Sequence, residues 1–341
     1  TKTTSNSLKK ERNSIYKPVS VIISARNEAN NLQNNLKYIL EQQYADFEVI
    51  VANDGSDDNT LTVLKDYQKT YNGLKIVDIT NSTGNKKNAI TKAIKESSNN
   101  ILLFTDADCK PISKKWIAEM IGQLNGNKEI VLGYGAYKQI PGSFLNKLIR
   151  YETLLTAIQY FSYANIGIPY MGVGRNLAYT KEIFEKANGF SQHIHIRSGD
   201  DDLFINTATT KVNTSICSTK DSFTVSSPKK SLKEWFQQKR RHITTATLYK
   251  PIHKIMLGIF YISQLLFWLL AIILLVFSFK WQLVITLMTI RFIFQYITYG
   301  KMAKKLNEKD LILAFPILDI LLVFIQISLF LNNIISKPTS W

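Results

Sequence analysis

VSVIISARNE, residues 19–28, is the first of four short apolar, β-branched runs that each end in polar residues and give way to a helical stretch. A helical pattern follows from Glu28 to Leu40, then FEVIVAND (47–54), a helix from Asp58 to Thr70, LKIVDI (74–79), a helix from Lys86 to Glu96, and ILLFTDAD (101–108). Strands that alternate with helices of this length join as parallel neighbours through crossovers. The expectation is therefore an α/β domain built on a parallel, doubly wound sheet. Ligands in such sheets bind outside the carboxyl ends of the strands, so Ser24 to Glu28, Asn53 to Asp57 and Thr105 to Asp108 should converge on one crevice.

Two of these loops carry side chains with chemistry. Asp106 and Asp108, at i and i+2 after a strand, can present two carboxylates to a divalent cation bridging a diphosphate, and oxygen ligands favour Mg2+ or Mn2+. The plainer reading is a strand-end turn with two solvated acids. Asp54 can accept hydrogen bonds from a base or ribose while Gly55 lets the chain turn tightly, although an Asx turn capping the next helix fits the same residues. Further on, Asp200, Asp201 and Asp202 stand in a row. Mutual repulsion raises the proton affinity of at least one of three such acids, which suits a base working near neutrality.

The order and spacing of SVIISARNEANNL, VANDGSDDNT, GNKKNAI and LLFTDADC resemble the family 2 glycosyltransferases over roughly residues 18–245. The resemblance implies a GT-A fold, a nucleotide diphosphate sugar donor and inversion at the anomeric carbon. By position it implies that Ala25, Arg26 and Glu28 line the nucleotide pocket, Asp54 holds the base, Lys86 approaches the nucleotide, and Asp106 and Asp108 face the metal. SGDDDLFI resembles the segment that supplies the catalytic base, here Asp201, with Asp200 beside it. QQKRRH resembles the QxxRW motif of membrane-embedded members through Gln238 and Arg241, with His242 where tryptophan usually stands. GVGRNLAY resembles the segment the acceptor approaches, making Arg175 and Asn176 acceptor contacts together with Asp200 and His242.

The rest of the chain differs in composition. With 42 Lys+Arg against 26 Asp+Glu the net charge is +16, which fits an anionic membrane surface, nucleic acid or a phosphate-bearing substrate. Between Pro228 and Lys254 eight Lys or Arg face the single acid Glu234, directly before an uncharged apolar stretch from Ile255 to Phe279. Residues 255–279, 281–299 and 311–335 are expected as three transmembrane helices, and hydrophobic spans argue against a nucleic-acid partner. The basic juxtamembrane segment, 228–254, and Lys301, Lys304, Lys305 and Lys309 belong on the cytoplasmic side, placing the catalytic domain (18–227) in the cytoplasm and the tail (336–341) outside. Arg291 and Asp319 fall at similar depths and are expected to pair, since an isolated charge there costs several kcal/mol. Phe144 to Ala164 reads either as a helix in the membrane interface or as one packed on the core. Residues 1–17 are polar and lysine-bearing, and a segment lost before them is possible. Cys109 and Cys217 lack the spacing of a zinc site, and no disulfide is expected.

The function expected is an inverting transfer of a sugar from a nucleotide diphosphate donor to a lipid-linked or glycan acceptor at the cytoplasmic membrane face. A processive polysaccharide synthase shares every motif, and a membrane-tethered nucleotide-binding scaffold lacking activity is the alternative of a different class.

Overall fold

The structure is a computed structural model that describes residues 17–336 except 81, 83 and 197. The expected N-terminal segment, save Lys17, and the tail beyond residue 336 lie outside the described residues. The first half follows the alternation read from the sequence: β1 (Val19–Ala25), α1 (Ala29–Leu40), β2 (Phe47–Asn53), α2 (Thr60–Thr70), β3 (Leu74–Asp78), α3 (Lys86–Glu96) and β4 (Ile101–Asp106). Next come β5 (Cys109–Pro111), α4 (Trp116–Ile121), β6 (Ile130–Leu132), β7 (Gly135–Tyr137) and α5 (Phe144–Asn165). Then follow β8 (Leu177–Thr180), α6 (Lys181–Lys186), α7 (Asp202–Ala208), β9 (Thr214–Ile216), β10 (Thr224–Ser226) and α8 (Leu232–Ala246). Three long helices complete the chain: α9 (Pro251–Val276), α10 (Trp281–Lys305) and α11 (Phe315–Ile335).

The large sheet has the order β3-β2-β1-β4-β8-β6-β9. Its first four strands are parallel, as expected, but β8 runs antiparallel to both β4 and β6, so the sheet is mixed. Period-2 alternation divides each central strand between two cores. Ile22, Ile50 and Phe104 face α3, whereas Val21, Val49 and Leu103 face α1 and α4. Chain travel reverses between β1 and β4, which is where a crevice opens beyond the strand ends. A smaller sheet, β5-β10-β7, begins immediately after the Asp106–Asp108 turn and closes one side of that crevice.

Of the two readings for the helix after residue 143, core packing is the one observed. Ser143 caps α5, and Leu148, Tyr151, Leu154, Leu155 and Phe161 bury faces against both the sheet domain and the C-terminal helices. Arg150, only 2% exposed, reaches Glu308 and Asp310 beyond α10, with Nε 2.8 Å from Glu308 Oε2 and Nη1 2.8 Å from Asp310 Oδ2. Tyr134 donates to the same Glu308 at 3.2 Å.

Helices α9, α10 and α11 are each long and apolar enough to cross a membrane. Their bounds differ from the charge-free stretches for local reasons. Pro251 starts α9 at its first turn, where a missing N–H costs nothing. Left-handed Ser278 and Lys280 form the turn before α10, and α10 continues past Lys301 to Lys304 and Lys305 in its last turn, where cations favour the helix dipole. The expected pair forms: Arg291 Nη2 lies 2.7 Å from Asp319 Oδ2. Trp268 also donates to Asp319 Oδ2 at 3.1 Å, and Tyr151 to Oδ1 at 3.0 Å. Both cysteines are buried and unpaired.

Candidate active site

The register of the parallel strands lines up the first side of the site. Ser24 pairs with Asp106 and Ala25 with Asn53, while the Asp54 N–H donates to Ala25 O at 2.8 Å. The β1–α1 and β2–α2 loops are then tied together: Asn27 Oδ1 accepts from the Asp57 N–H at 2.8 Å, and Asp58 accepts from the N–H groups of Thr60 and Ala29. Asp54 is buried and accepts from Ser82 Oγ. Gly55 sits at φ +61°, where a Cβ would stand 3.1 Å from Ser82. Gly84, at φ +81°, leaves space that the Arg26 guanidinium occupies, since a Cβ there would lie 1.6 Å from Arg26 Nη1. Burial, and after it the charges of Asp108 and Asp106, raise the Glu28 pKa against the lowering effect of Asn31, so this loop shares the field of the Asp106–Asp108 turn.

Lys86, the first residue of α3, stands at the centre. Its Nζ lies 2.9 Å from both Asp106 Oδ1 and Asp200 Oδ2, joining two segments 94 residues apart in sequence. Burial alone would lower its pKa, but Asp106, Asp200 and Asp201 outweigh that and hold the ammonium charged. Asp201 caps α7 and is half-buried. Its Oδ2 accepts from the Gly174 N–H at 2.7 Å and its Oδ1 from the Asp202 N–H at 2.8 Å. Burial and the neighbouring Asp200 and Asp202 push its pKa up to about 7, with Lys86 pulling the other way. A small pocket lined by Ser24, Lys86, Asp106, Gly174, Asp200 and Asp201 joins these groups.

Asp106, Asp108 and Cys109 bring one ligand atom each within 4.8 Å of one another. Burial drives the Cys109 thiol pKa well up, so it stays protonated and donates to Asp108 Oδ1 at 3.3 Å. Burial and Asp106 likewise raise the Asp108 pKa, the mark of two carboxylates whose repulsion a cation would relieve. Two carboxylates with a neutral thiol behind them fit a hard divalent ion.

Helix α8 carries the remaining residues. Asp202 accepts from Thr245 Oγ1 and, at 2.7 Å, from the Tyr249 hydroxyl, so its carboxylate fastens α8 to the acidic segment. His242 reaches solvent, yet desolvation within the cleft, then the charges of Lys239, Arg241, Arg175 and Lys86, keep its imidazole neutral. Gln238 Oε1 is buried with no hydrogen-bond partner among the described residues. Arg241 is half-buried on the same helix.

The two expected acceptor contacts at 175 and 176 divide. Arg175 packs over the Tyr137 ring, 4.2 Å from its centroid, and donates to Ser226 Oγ at 2.8 Å, within the field of Asp108 and Asp106. Asn176 is a correction: it is 0% exposed, accepts from Trp116 Nε1 and donates to Tyr134 O and Ser222 O. These bonds tie it to the interior, so it locks the two sheets and is turned away from the cleft surface where an acceptor contact was expected. Three contributors escaped sequence reading. Lys87 is buried with its Nζ 2.6 Å from His193 O and 2.9 Å from Ile196 O, pinning the segment before the acids. Its i, i+3, i+7 relation to Ile90 and Ile94 was a visible sign that it faces inward. The Gly174 N–H and the Thr245–Tyr249 pair carried no comparable signal.

Comparison with known proteins adds the following. The family model described as Glycosyl transferase family 2 matches residues 20–187. Glycosyltransferase AglE of Haloferax volcanii is 28% identical over 190 residues, 53% of this chain and 58% of that protein. Poly-beta-1,6-N-acetyl-D-glucosamine synthase of Staphylococcus epidermidis is 34% identical over 90 residues, 26% of this chain and 21% of that protein. The match thus spans less than two thirds of either relative. The solved mannosyltransferase PcManGT from Pyrobaculum calidifontis, in complex with GDP-Man and Mn2+, superposes with a TM-score of 0.56 at 19% identity, covering 90% of this chain and 88% of that one. That likeness shows the fold, a mixed α/β GT-A-like sheet followed by apolar helices.

Proposed function

We propose, on the premise that this chain belongs to glycosyl transferase family 2, that it moves a sugar from a nucleotide diphosphate donor to an acceptor held at the cytoplasmic membrane face, with inversion at the anomeric carbon. The observation that carries the reading is Asp201: a half-buried carboxylate with a pKa near 7, aimed by the Gly174 N–H and set beside the Lys86–Asp106 pair. As base, Asp201 takes the proton of the acceptor hydroxyl while that oxygen bonds to the anomeric carbon and the bond to the diphosphate breaks on the opposite face. Asp54 and Arg26 bind the nucleoside end of the donor, and Lys86 and Arg241 place positive charge near the diphosphate. Asp106 and Asp108 would hold Mn2+ or Mg2+, which when bound would supply positive charge for the departing diphosphate. The Mn2+ and GDP-Man held by the Pyrobaculum protein of this fold are in keeping with that donor class.

The apolar helices anchor the chain in a membrane, and the lysines and arginines of 228–254 and 301–309 support placing the catalytic domain on the cytoplasmic side. A processive synthase is the second reading, favoured by the match to the Staphylococcus epidermidis polysaccharide synthase. Asp108→Ala and Asp201→Asn should each abolish transfer while the purified variant keeps its melting profile, and sizing the product separates single transfer from polymerisation. Transfer retained in either variant would refute the assignment of the site.

A further inference from the structure

Helix α11 is apolar and 21 residues long, about 31 Å at 1.5 Å per residue, which by length alone makes it a third span. Its flanking bonds run to α5 of the catalytic domain at one end and to α8, which is bonded to that domain through Asp202, at the other. Just before it, Glu308 and Asp310 accept from Arg150 of α5, which packs on the sheet domain. At its other end Arg240 of α8 donates to Asn333 Oδ1 and to Ser336 Oγ, both at 2.9 Å, and Asn333 Nδ2 donates back to Arg240 O at 3.1 Å. Five residues further along α8, about 7.5 Å, Thr245 donates to Asp202, the neighbour of the base. A helix that crossed the bilayer would carry Asn333 roughly 30 Å from the side on which it began. Instead its end is bonded to α8 at Arg240, five residues from the Thr245 that holds the neighbour of the proposed base.

We propose that α11 lies along the membrane surface on the catalytic side, with one face on protein and the other in the acyl chains of a single leaflet, and that the chain's C-terminal end stays on the catalytic side. Only the α9–α10 hairpin then goes deeper, and the sequence expectation of a third span with an external tail is reversed. The division of faces supports this. Phe315, Leu318 and Leu322 are buried against protein, whereas Ile317, Phe324 and Leu331, at i, i+7, i+14, are exposed. The basic face of the adjoining α8 would meet anionic headgroups at the same level. Lipid is the fitting occupant because the exposed large side chains of α11 are apolar like those of α9 and α10, with which it shares the Arg291–Asp319 and Trp268–Asp319 bonds.

The inference rests on the membrane attachment proposed above, and the two can fail separately. In sealed vesicles containing the full chain with an epitope tag after Trp341, Lys220→Cys labelled by an impermeant maleimide reports that the catalytic domain faces out. Protease added outside should then remove the tag without detergent. A tag protected until detergent is added would overturn the in-plane assignment alone, and release of the chain by carbonate washing would overturn the attachment and the assignment together. Spin labels at Ile317→Cys, Phe324→Cys and Leu331→Cys should report equal depths. A steady progression over about 21 Å, the rise of fourteen helical residues, would overturn it as well.

Discussion

As the proposed base, Asp201 has to be deprotonated near neutrality and yet open to an acceptor at the membrane face, and its pKa and half-burial fit both. Burial and two adjacent acids hold its pKa near 7, while Lys86 pulls it down. In the proposed reaction the deprotonated form is the base, so activity should be present above that pKa and lost as pH falls through it. The kcat/KM profile of the full chain should show an acidic limb near pH 7, falling about tenfold per unit well below it. Lys86→Ala removes a cation that lowers the Asp201 pKa, so it should cut the rate and move this limb to higher pH. An acidic limb that does not move would show that Lys86 does not act on the base. The row of three acids and the Asp106–Asp108 spacing were legible in the sequence because short-range spacing determines them. Which acid is the base-like one depends on Gly174, Thr245 and Tyr249, which come from 27 to 47 residues away.

At the scale of elements, α5 is the joint between the catalytic domain and the apolar helices. Its Arg150 is buried against Glu308, and removing the guanidinium leaves that carboxylate buried and unpaired, a loss of about 3–5 kcal/mol. Arg150→Met should therefore lower the melting temperature of the detergent-solubilised chain by several degrees, and Arg150→Met combined with Glu308→Leu should recover most of it. A single variant that melts with the parent would mean that solvent already screens the pair. Sequence periodicity found the four parallel strands, α1 to α3 and the apolar helices, and depth matching found Arg291–Asp319. It could not find Arg150–Glu308, because the two residues are 158 apart and neither sits in a pattern that distinguishes it from a surface charge. The reversed strand β8 escaped for a related reason: four residues carry no sign of direction, which pairing with β4 and β6 decides.

On the scale of the whole molecule, one chain carries a pocket at the β1–β4 switch point and three long apolar helices, which under the proposed function joins donor chemistry to membrane attachment. Four ordered motifs made the α/β fold and the polar loops at its strand ends readable from the sequence. For the proposed acceptor half, sequence motifs pointed to α8, the turn before β8 and the acidic segment, but tertiary packing decides which side chains they present, and Asn176 shows how a residue in the right motif can be turned wholly inward. The most direct measurement is release of nucleoside diphosphate by the detergent-solubilised full chain across a panel of nucleotide diphosphate sugars, with and without Mn2+ or Mg2+. The account predicts cation-dependent release with at least one donor, lost in Asp201→Asn. Release with no donor under any cation, or release that survives Asp201→Asn unchanged, would contradict it.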